Sequence, residues 1–254
     1  GLVREMGGRP ESSIFMKGFR SSAPCASLVN GTMIHSIDFD DTHMGSISHF
    51  SASLVPTVFS LAEKHRLSGP RLLEAFVLGF EVGARVGRAM MPSHYRYWHP
   101  TATFGSLASA AAASKLLNLN KQQTEYVLGL AADLAAGLRY CIDKGDFSKS
   151  LHPGFAAMRG VMLASLVKKG ANGPKGILEY PTGFCQAYSD NPNPDEILNG
   201  LGEVYELKSN GLKPYPTILL SHSSIQAVLE IMEENNLQAE DVEEVHLRIS
   251  QTAK

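Results

Sequence analysis

Asn30–Pro56, NGTMIHSIDFDDTHMGSISHFSASLVP, is the stretch on which the reading of this chain turns. It sets His35, Asp38, Asp40, Asp41, His43 and His49 close together, with Thr42 and several serines among them. Both flanks are apolar at helical spacing: Cys25, Leu28, Val29, Met33 and Ile37 before it, Leu54, Val55, Val58, Phe59 and Ala62 after it. A polar knot between two apolar helices is costly to bury unless its groups are paired or used. The stretch therefore predicts two core helices joined by a loop that carries chemistry. Pro24 suits the first turn of the leading helix. If that helix persists past Asp38, then His35, Asp38 and Thr42 share one face. Pro56 is expected to kink or open the second helix.

Outward from this centre the helical pattern continues. Gly1–Ser22 reads as loop or short strand. Ser68-Gly69-Pro70 opens a helix to about Met90 that carries Gly79, Gly83 and Gly87 at four-residue spacing. An interior glycine costs roughly 1 kcal/mol relative to alanine, so three in a stripe predict a neighbouring helix packed very close. A phosphate loop would need a strand–loop–helix context, which is missing. Trp98-His99-Pro100-Thr101 leads into a small-residue helix from Thr103 to about Leu117. Asn120 with Gln123 forms a capping box for a helix to about Cys141. A second polar knot, Asp143–Gly154 (DKGDFSKSLHPG), precedes a helix from Phe155 to Lys169.

After Gly170 the composition shifts to Gly, Pro and Asn. Short helices are expected near 176–180 and 195–201, a strand over 204–208, and a hairpin turn at Asn210-Gly211. An amphipathic helix capped by Ser221 follows. The last pattern is a half-buried strand in which Val245, Leu247 and Ile249 alternate with His246, Arg248 and Ser250. The expected fold class is mainly α. Residues 1–205 form a helical domain, and 206–254 begin a smaller α/β domain, since two strands alone are marginally stable.

Composition narrows the function. A formal charge of −2 argues against a nucleic-acid binder, which would carry a basic stripe. Cys25, Cys141 and Cys185 lack CxxC spacing and read as reduced, buried thiols. No apolar run reaches the length of a membrane span. HSIDFDDTH invites a metal reading, because His and Asp ligate borderline cations. It is set aside in the absence of HExxH, EF-hand or DDxxD spacing. No GxSxG elbow supports a serine hydrolase.

Four polar clusters recur at helix ends: Asp38–His49, His99, Lys149–His152, and Lys213 with His222. Convergence on one cleft would set imidazoles and ammonium groups beside Asp38 and Thr42. Cations suit a substrate with several carboxylates, and histidines suit proton transfer near neutrality. Plain readings compete residue by residue. His99 and His152, each before a proline, suit helix starts; Asp38 and Asp41 suit capping; Lys149 and Lys213 suit a solvated surface. His43, His65, His94 and His246 read as structural or exposed.

The motif order LVNGTMIHSIDFDDTH, SHFSASLVP, WHPTATFGSLASAAAASKLL, KSLHPGFAAMRGVMLASL and KPYPTILLSH resembles the MmgE/PrpD family. These are 2-methylcitrate dehydratase-like proteins whose relatives include cis-aconitate decarboxylase and iminodisuccinate epimerase. The resemblance implies an all-helical domain followed by an α/β lid domain, only begun within this chain, and a cofactor-free homodimer. It places Asp38, Thr42, His49, His99, Lys149 and Lys213 in the active site, with His222 beside the substrate. Where the family carries a cysteine after KPYP, this chain has Thr217, Ile218 and Leu219. The expected activity is a lyase or isomerase acting on a small di- or tricarboxylate, with dehydration of a 2-methylcitrate-like acid first. Decarboxylation, epimerisation and a non-catalytic member are the alternatives. A cytoplasmic location is expected, or a mitochondrial one in a eukaryote.

Overall fold

The computed structural model describes residues 1–249. Among them six long helices make the body: α2 (Ala23–His35), α3 (Phe50–His65), α4 (Gly69–Met90), α5 (Pro100–Leu116), α6 (Lys121–Asp133) and α8 (Ser148–Lys168). Shorter pieces are α1 (Leu2–Met6), α7 (Tyr140–Lys144), α9 (Phe184–Tyr188) and α10, the longer helix His222–Glu234 near the end of the described chain. Two small antiparallel sheets accompany them. Strand β1 (Ser12–Ile14) pairs with β2 (Phe19–Ser21), and β3 (Thr42–His43) pairs with β4 (Asn210–Gly211). The fold is mainly α, as the periodicity predicts.

Helix α5 lies at the centre, packed by α3, α4, α6 and α8. Its small side chains are buried all round, with no polar face. Such a helix can be surrounded only if its neighbours approach closely, and glycine permits that. A Cβ at Gly83 would sit 2.5 Å from the Phe50 ring and 2.8 Å from Ala108; one at Gly79 would meet Leu54 and the Ala108 carbonyl. The glycine stripe of α4 is therefore a packing device, as expected. A second crossing matters more for the site. A Cβ at Gly31 of α2 would lie 2.8 Å from the Cα of Gly154 in α8. This contact brings the C-terminal end of α2 against the first turns of α8.

Several expectations are corrected. Helix α2 does not persist through Asp38: it ends at His35, and the chain turns at Asp38 through φ 53°, a left-handed conformation that Asp tolerates better than most residues. Thr42 consequently lies in β3, not on a helical face shared with His35. Helix α3 runs unbroken over Pro56. Helix α5 begins at Pro100 and α8 at Ser148, each earlier than periodicity suggests. Helix α6 ends at Asp133, and α7 is separate from it. The short helices fall at 184–188 and at a 3-10 turn over 194–197.

The expected strand at 204–208 is replaced by a 3-10 turn, Glu206–Ser209. The backbone N–H groups of Glu206 and Leu207 donate to the buried Glu81 carboxylate at 3.1 Å each, so they are unavailable to a ladder. Asn210-Gly211 is not a hairpin turn but the strand that pairs with Thr42–His43. Residues 242–249 show no regular structure, and Val245, Leu247 and Ile249 are about half exposed. Among the described residues no strand pairs with them; the strand's continuation, Ser250 onward, lies outside those residues.

Candidate active site

Three helices begin where α2 ends. His49 immediately precedes α3, His99 immediately precedes α5, and Lys149 and His152 lie in the first turns of α8. Helix N-termini carry partial positive charge, so this junction suits an anion. The fourth wall comes from far along the chain. Arg85 of α4 donates to the carbonyls of Ile197, Asn199, Gly200 and Val204. Arg88 binds Glu206, whose carboxylate also takes the His43 Nε2–H at 3.1 Å. These ties hold 197–211 against α4 and let β4 pair with β3. Lys213 then enters beside Asp38.

Asp38 is the meeting point. Its carboxylate accepts from Lys213 Nζ at 2.6 Å and from Lys149 Nζ at 2.9 Å, while its carbonyl takes a further bond from Lys213 at 2.8 Å. Burial opposes its ionisation, but the hydrogen bonds from Lys213 and Lys149 outweigh that and hold the carboxyl well below its usual range. Lys213 is fully buried at its side chain and also lies 3.5 Å from Asp40. Asp40 in turn accepts from His35 Nδ1 at 2.5 Å. Its carboxyl too is held low: burial works against the anion, and the bond from His35 prevails.

The imidazoles form a connected row. His35 stacks on His99 with centroids 5.8 Å apart and lies 5.2 Å from His49. His99 and His152 share a hydrogen bond between their Nδ1 atoms at 2.8 Å. His49 Nδ1 donates to the Asp41 carbonyl at 2.6 Å, with the Thr42 hydroxyl 3.2 Å away. A carbonyl can only accept, so the neutral ring carries its proton on Nδ1, and Nε2 is the basic lone pair. Burial depresses the histidines, with neighbouring positive charge adding to it and, at His49, the Asp40 carboxylate opposing it: His49 and His152 to about 4, His99 well below the ordinary value. All three are neutral at pH 7 and can accept protons.

Thr42, His49, His99 and Lys149 line a cavity of about 90 Å³ together with Met44, Ile47, Tyr95, Ile142 and Ile218–Leu220. The structure thus brings together Asp38, Thr42, His49, His99, Lys149 and Lys213. It does not bring in His222, which bonds the Thr217 carbonyl at 3.2 Å and packs edge-on against Tyr215 within its own segment. Sequence reasoning passed over three participants: His35, Asp40 and His152. The adjacency of Asp40 to Asp38, and the three-residue spacing of Lys149 and His152, were the available signals. His43 and His94 are buried and fully bonded, His94 between the Tyr188 carbonyl and the Thr103 hydroxyl, consistent with structural roles.

One group of possible metal ligands lies here, His35, Asp38 and Asp40, with ligand atoms within 4.8 Å of one another. Its carboxylates already hold Lys149, Lys213 and His35, so lysine ammonium groups stand where a cation would. The arrangement can do two things without further parts. It can hold carboxylates on ammonium groups, and it can exchange a proton with a substrate carbon through an imidazole.

The chain is similar in sequence to known proteins. The MmgE/PrpD N-terminal domain matches residues 1–197. A cis-aconitate decarboxylase-like protein of Aspergillus oryzae is 32% identical over 255 residues, covering 93% of this chain and 52% of its own length. Cis-aconitate decarboxylase of Aspergillus terreus is 29% identical over 244 residues, covering 89% of this chain and 50% of its own. The Mus musculus enzyme of the same name is 30% identical over 256 residues, covering 95% and 50%. The chain therefore spans about half the length of these relatives.

Proposed function

The chain belongs to the MmgE/PrpD family, and from that premise we propose that it acts as a lyase on a small polycarboxylate, without a cofactor, by proton transfer at carbon. The observation that carries this is the pairing of Lys149 and Lys213 on Asp38 beside the His49–His35–His99 row. Two ammonium groups fixed at one point suit a substrate with more than one carboxylate. Neutral imidazoles beside them suit a proton that moves to or from carbon.

Decarboxylation is the first reading, because the relatives at about 30% identity are named cis-aconitate decarboxylases. In it, the bond to one carboxylate breaks and carbon dioxide leaves. The bonding pair stays on carbon and spreads into the adjacent double bond and its carboxylate. Lys149 and Lys213 stabilise that enolate-like charge. One imidazole, His49 or His99, then gives a proton to carbon. These rings are neutral in the free protein; a bound polycarboxylate reverses the positive potential that helps keep them so. The proton taken up with the substrate is the one delivered, and charge and atoms balance. Asp38 keeps both ammonium groups in register, and Thr42 steadies His49.

Dehydration of a 2-methylcitrate-like hydroxy acid is the second reading. The apolar wall of Met44, Ile47 and Ile218 favours it by offering room for a methyl group. Assembly as a homodimer belongs to the same proposal and is checked by light scattering. The test is a panel of cis-aconitate, citrate, 2-methylcitrate and iminodisuccinate, read by carbon dioxide release and by absorbance of a conjugated double bond. Carbon dioxide from cis-aconitate, lost in both His99→Ala and Lys149→Ala, supports the first reading. Turnover unchanged in those two variants would sink the mechanism.

A further inference from the structure

We propose that His99, Cys141 and His152 form a binding site for a thiophilic divalent cation such as zinc or cadmium. The three ligand atoms come from three elements: the residue preceding α5, the short helix α7, and the first turns of α8. His99 Nδ1 and His152 Nδ1 are 2.8 Å apart, and Cys141 Sγ lies 3.8 Å from His152 Nδ1. All three atoms fall within 4.8 Å of one another. A tetrahedral zinc takes nitrogen at about 2.0–2.1 Å and sulfur at about 2.3 Å, which separates its ligands by roughly 3.5 Å. The two nitrogens need to part slightly and the sulfur to approach by at most about 1.3 Å, within side-chain adjustment.

The chemistry of the donors agrees with the geometry. Two imidazoles and a thiol are a set preferred by zinc and cadmium over magnesium or calcium. In the free protein one Nδ1–H donates to the other Nδ1. On binding, that proton moves to its own ring's Nε2, the thiol proton leaves to solvent, and the cation occupies the vacated positions. The charged groups facing the site are His35, Lys149, Arg159 and Asp146. The cationic groups oppose a bound divalent ion and the carboxylate favours it, so ligation by all three donors is needed. The contrast with His35, Asp38 and Asp40 is direct: there ammonium groups already hold the carboxylates, whereas the Cys141 thiol rests on neutral groups, the Leu138 carbonyl at 3.3 Å, His152 and Ser148.

On the reading of His99 as a catalytic group, the bound ion also blocks turnover. The binding itself does not depend on that reading, so binding is what the experiment measures. Cadmium titrated into the metal-free 254-residue chain should give a single equivalent with the ultraviolet sulfur-to-cadmium charge-transfer band, and zinc should displace it. Cys141→Ala should abolish the band, and His152→Gln should weaken binding by roughly 100-fold or more, since loss even of a ligand's outer partner costs 10- to 100-fold. Cys25→Ala and Cys185→Ala should keep the band. Its persistence in Cys141→Ala, its loss in either control, or its absence from the unaltered chain overturns the proposal. X-ray absorption on the unaltered, cadmium-loaded chain decides the matter if Cys141→Ala fails to fold. One sulfur with imidazole nitrogens supports the site; an all-oxygen shell refutes it.

Discussion

Replacing Asp41 by asparagine should stabilise this protein at neutral pH, although the residue sits among active-site groups. Asp41 is buried, and burial together with the neighbouring Asp40 raises its carboxyl from 3.8 to about 6. A folded-state pKa above the unfolded one means that the group's favourable contribution is complete below about pH 4. It is lost as pH rises through about 6. At pH 7 the native chain therefore carries a buried charge, at a cost of about 3 kcal/mol for a shift of about two units. Two contacts decide whether an asparagine side chain fits in its place. Asp41 Oδ1 accepts from the Ser51 N–H at 3.0 Å, at the start of α3, and the amide oxygen of asparagine can do the same. Asp41 Oδ2 accepts from Asn210 Nδ2 at 2.8 Å, and Asn210 Oδ1 is buried without a partner among the described residues. Flipping the Asn210 amide turns that orphaned oxygen toward the new NH₂ group. What is lost is the attraction of a charge to the α3 N-terminus, about 0.3–1 kcal/mol. The net expectation is a gain of about 2 kcal/mol at pH 7 that vanishes near pH 4. Urea unfolding of both proteins across that range measures it. A variant less stable than the parent at pH 7, or a difference independent of pH, would refute the reasoning.

Acid should act on the other two carboxylates in the opposite sense. The folded-state values of Asp38 and Asp40 lie below their unfolded ones, so their stabilisation is present above about pH 4. It is lost as pH falls through the folded values, and an acid midpoint that moves upward in Lys213→Met would show the ammonium responsible. In the same variant, turnover of whichever polycarboxylate is accepted should fall by about 100-fold or more; steady-state kinetics checks it, and unchanged kcat/KM contradicts a charge-stabilising lysine. Gly83→Ala should cost about 1–3 kcal/mol by overpacking Phe50 and Ala108, measured by denaturant midpoint. A neutral outcome would mean that α4 and α5 can move apart.

The helical body was legible because its signals are local. Apolar spacing marks α2 and α3, the Asn120–Gln123 capping box forms as the sequence suggests, and the glycine stripe meets close neighbours. Before residue 200 the misses are mostly of where an element begins or ends; after it the kind of element fails as well, because conformation there is imposed from a distance. Nothing within 204–208 says that Glu206 and Leu207 will donate to Glu81, a residue of α4. Nothing in Asn210-Gly211 says that its partner strand begins at Thr42. A carboxylate that captures two N–H groups turns a β-rich segment into a 3-10 turn, and local propensity carries no trace of it.

The site divides in the same way. The polar clusters are visible in sequence because ionisable groups stand at ends of apolar helices, where burial without a partner is costly; the choice of Asp38, His49, His99, Lys149 and Lys213 within them rests on the MmgE/PrpD resemblance. His35, Asp40 and His152 were passed over because each has an ordinary local explanation: the last turn of a helix, one of three clustered acids, a histidine before proline. Their importance is relational. His35 matters because it bonds Asp40 while stacking on His99, and His152 because its Nδ1 reaches both His99 and Cys141. These contacts depend on α2 and α8 crossing at Gly31 and Gly154, where neither residue has a side chain to hold the helices apart. A bulkier residue at either position would push α2 and α8 apart and so separate Asp38 from Lys149. The two glycines are thus positioning residues for the site, although they carry no functional group.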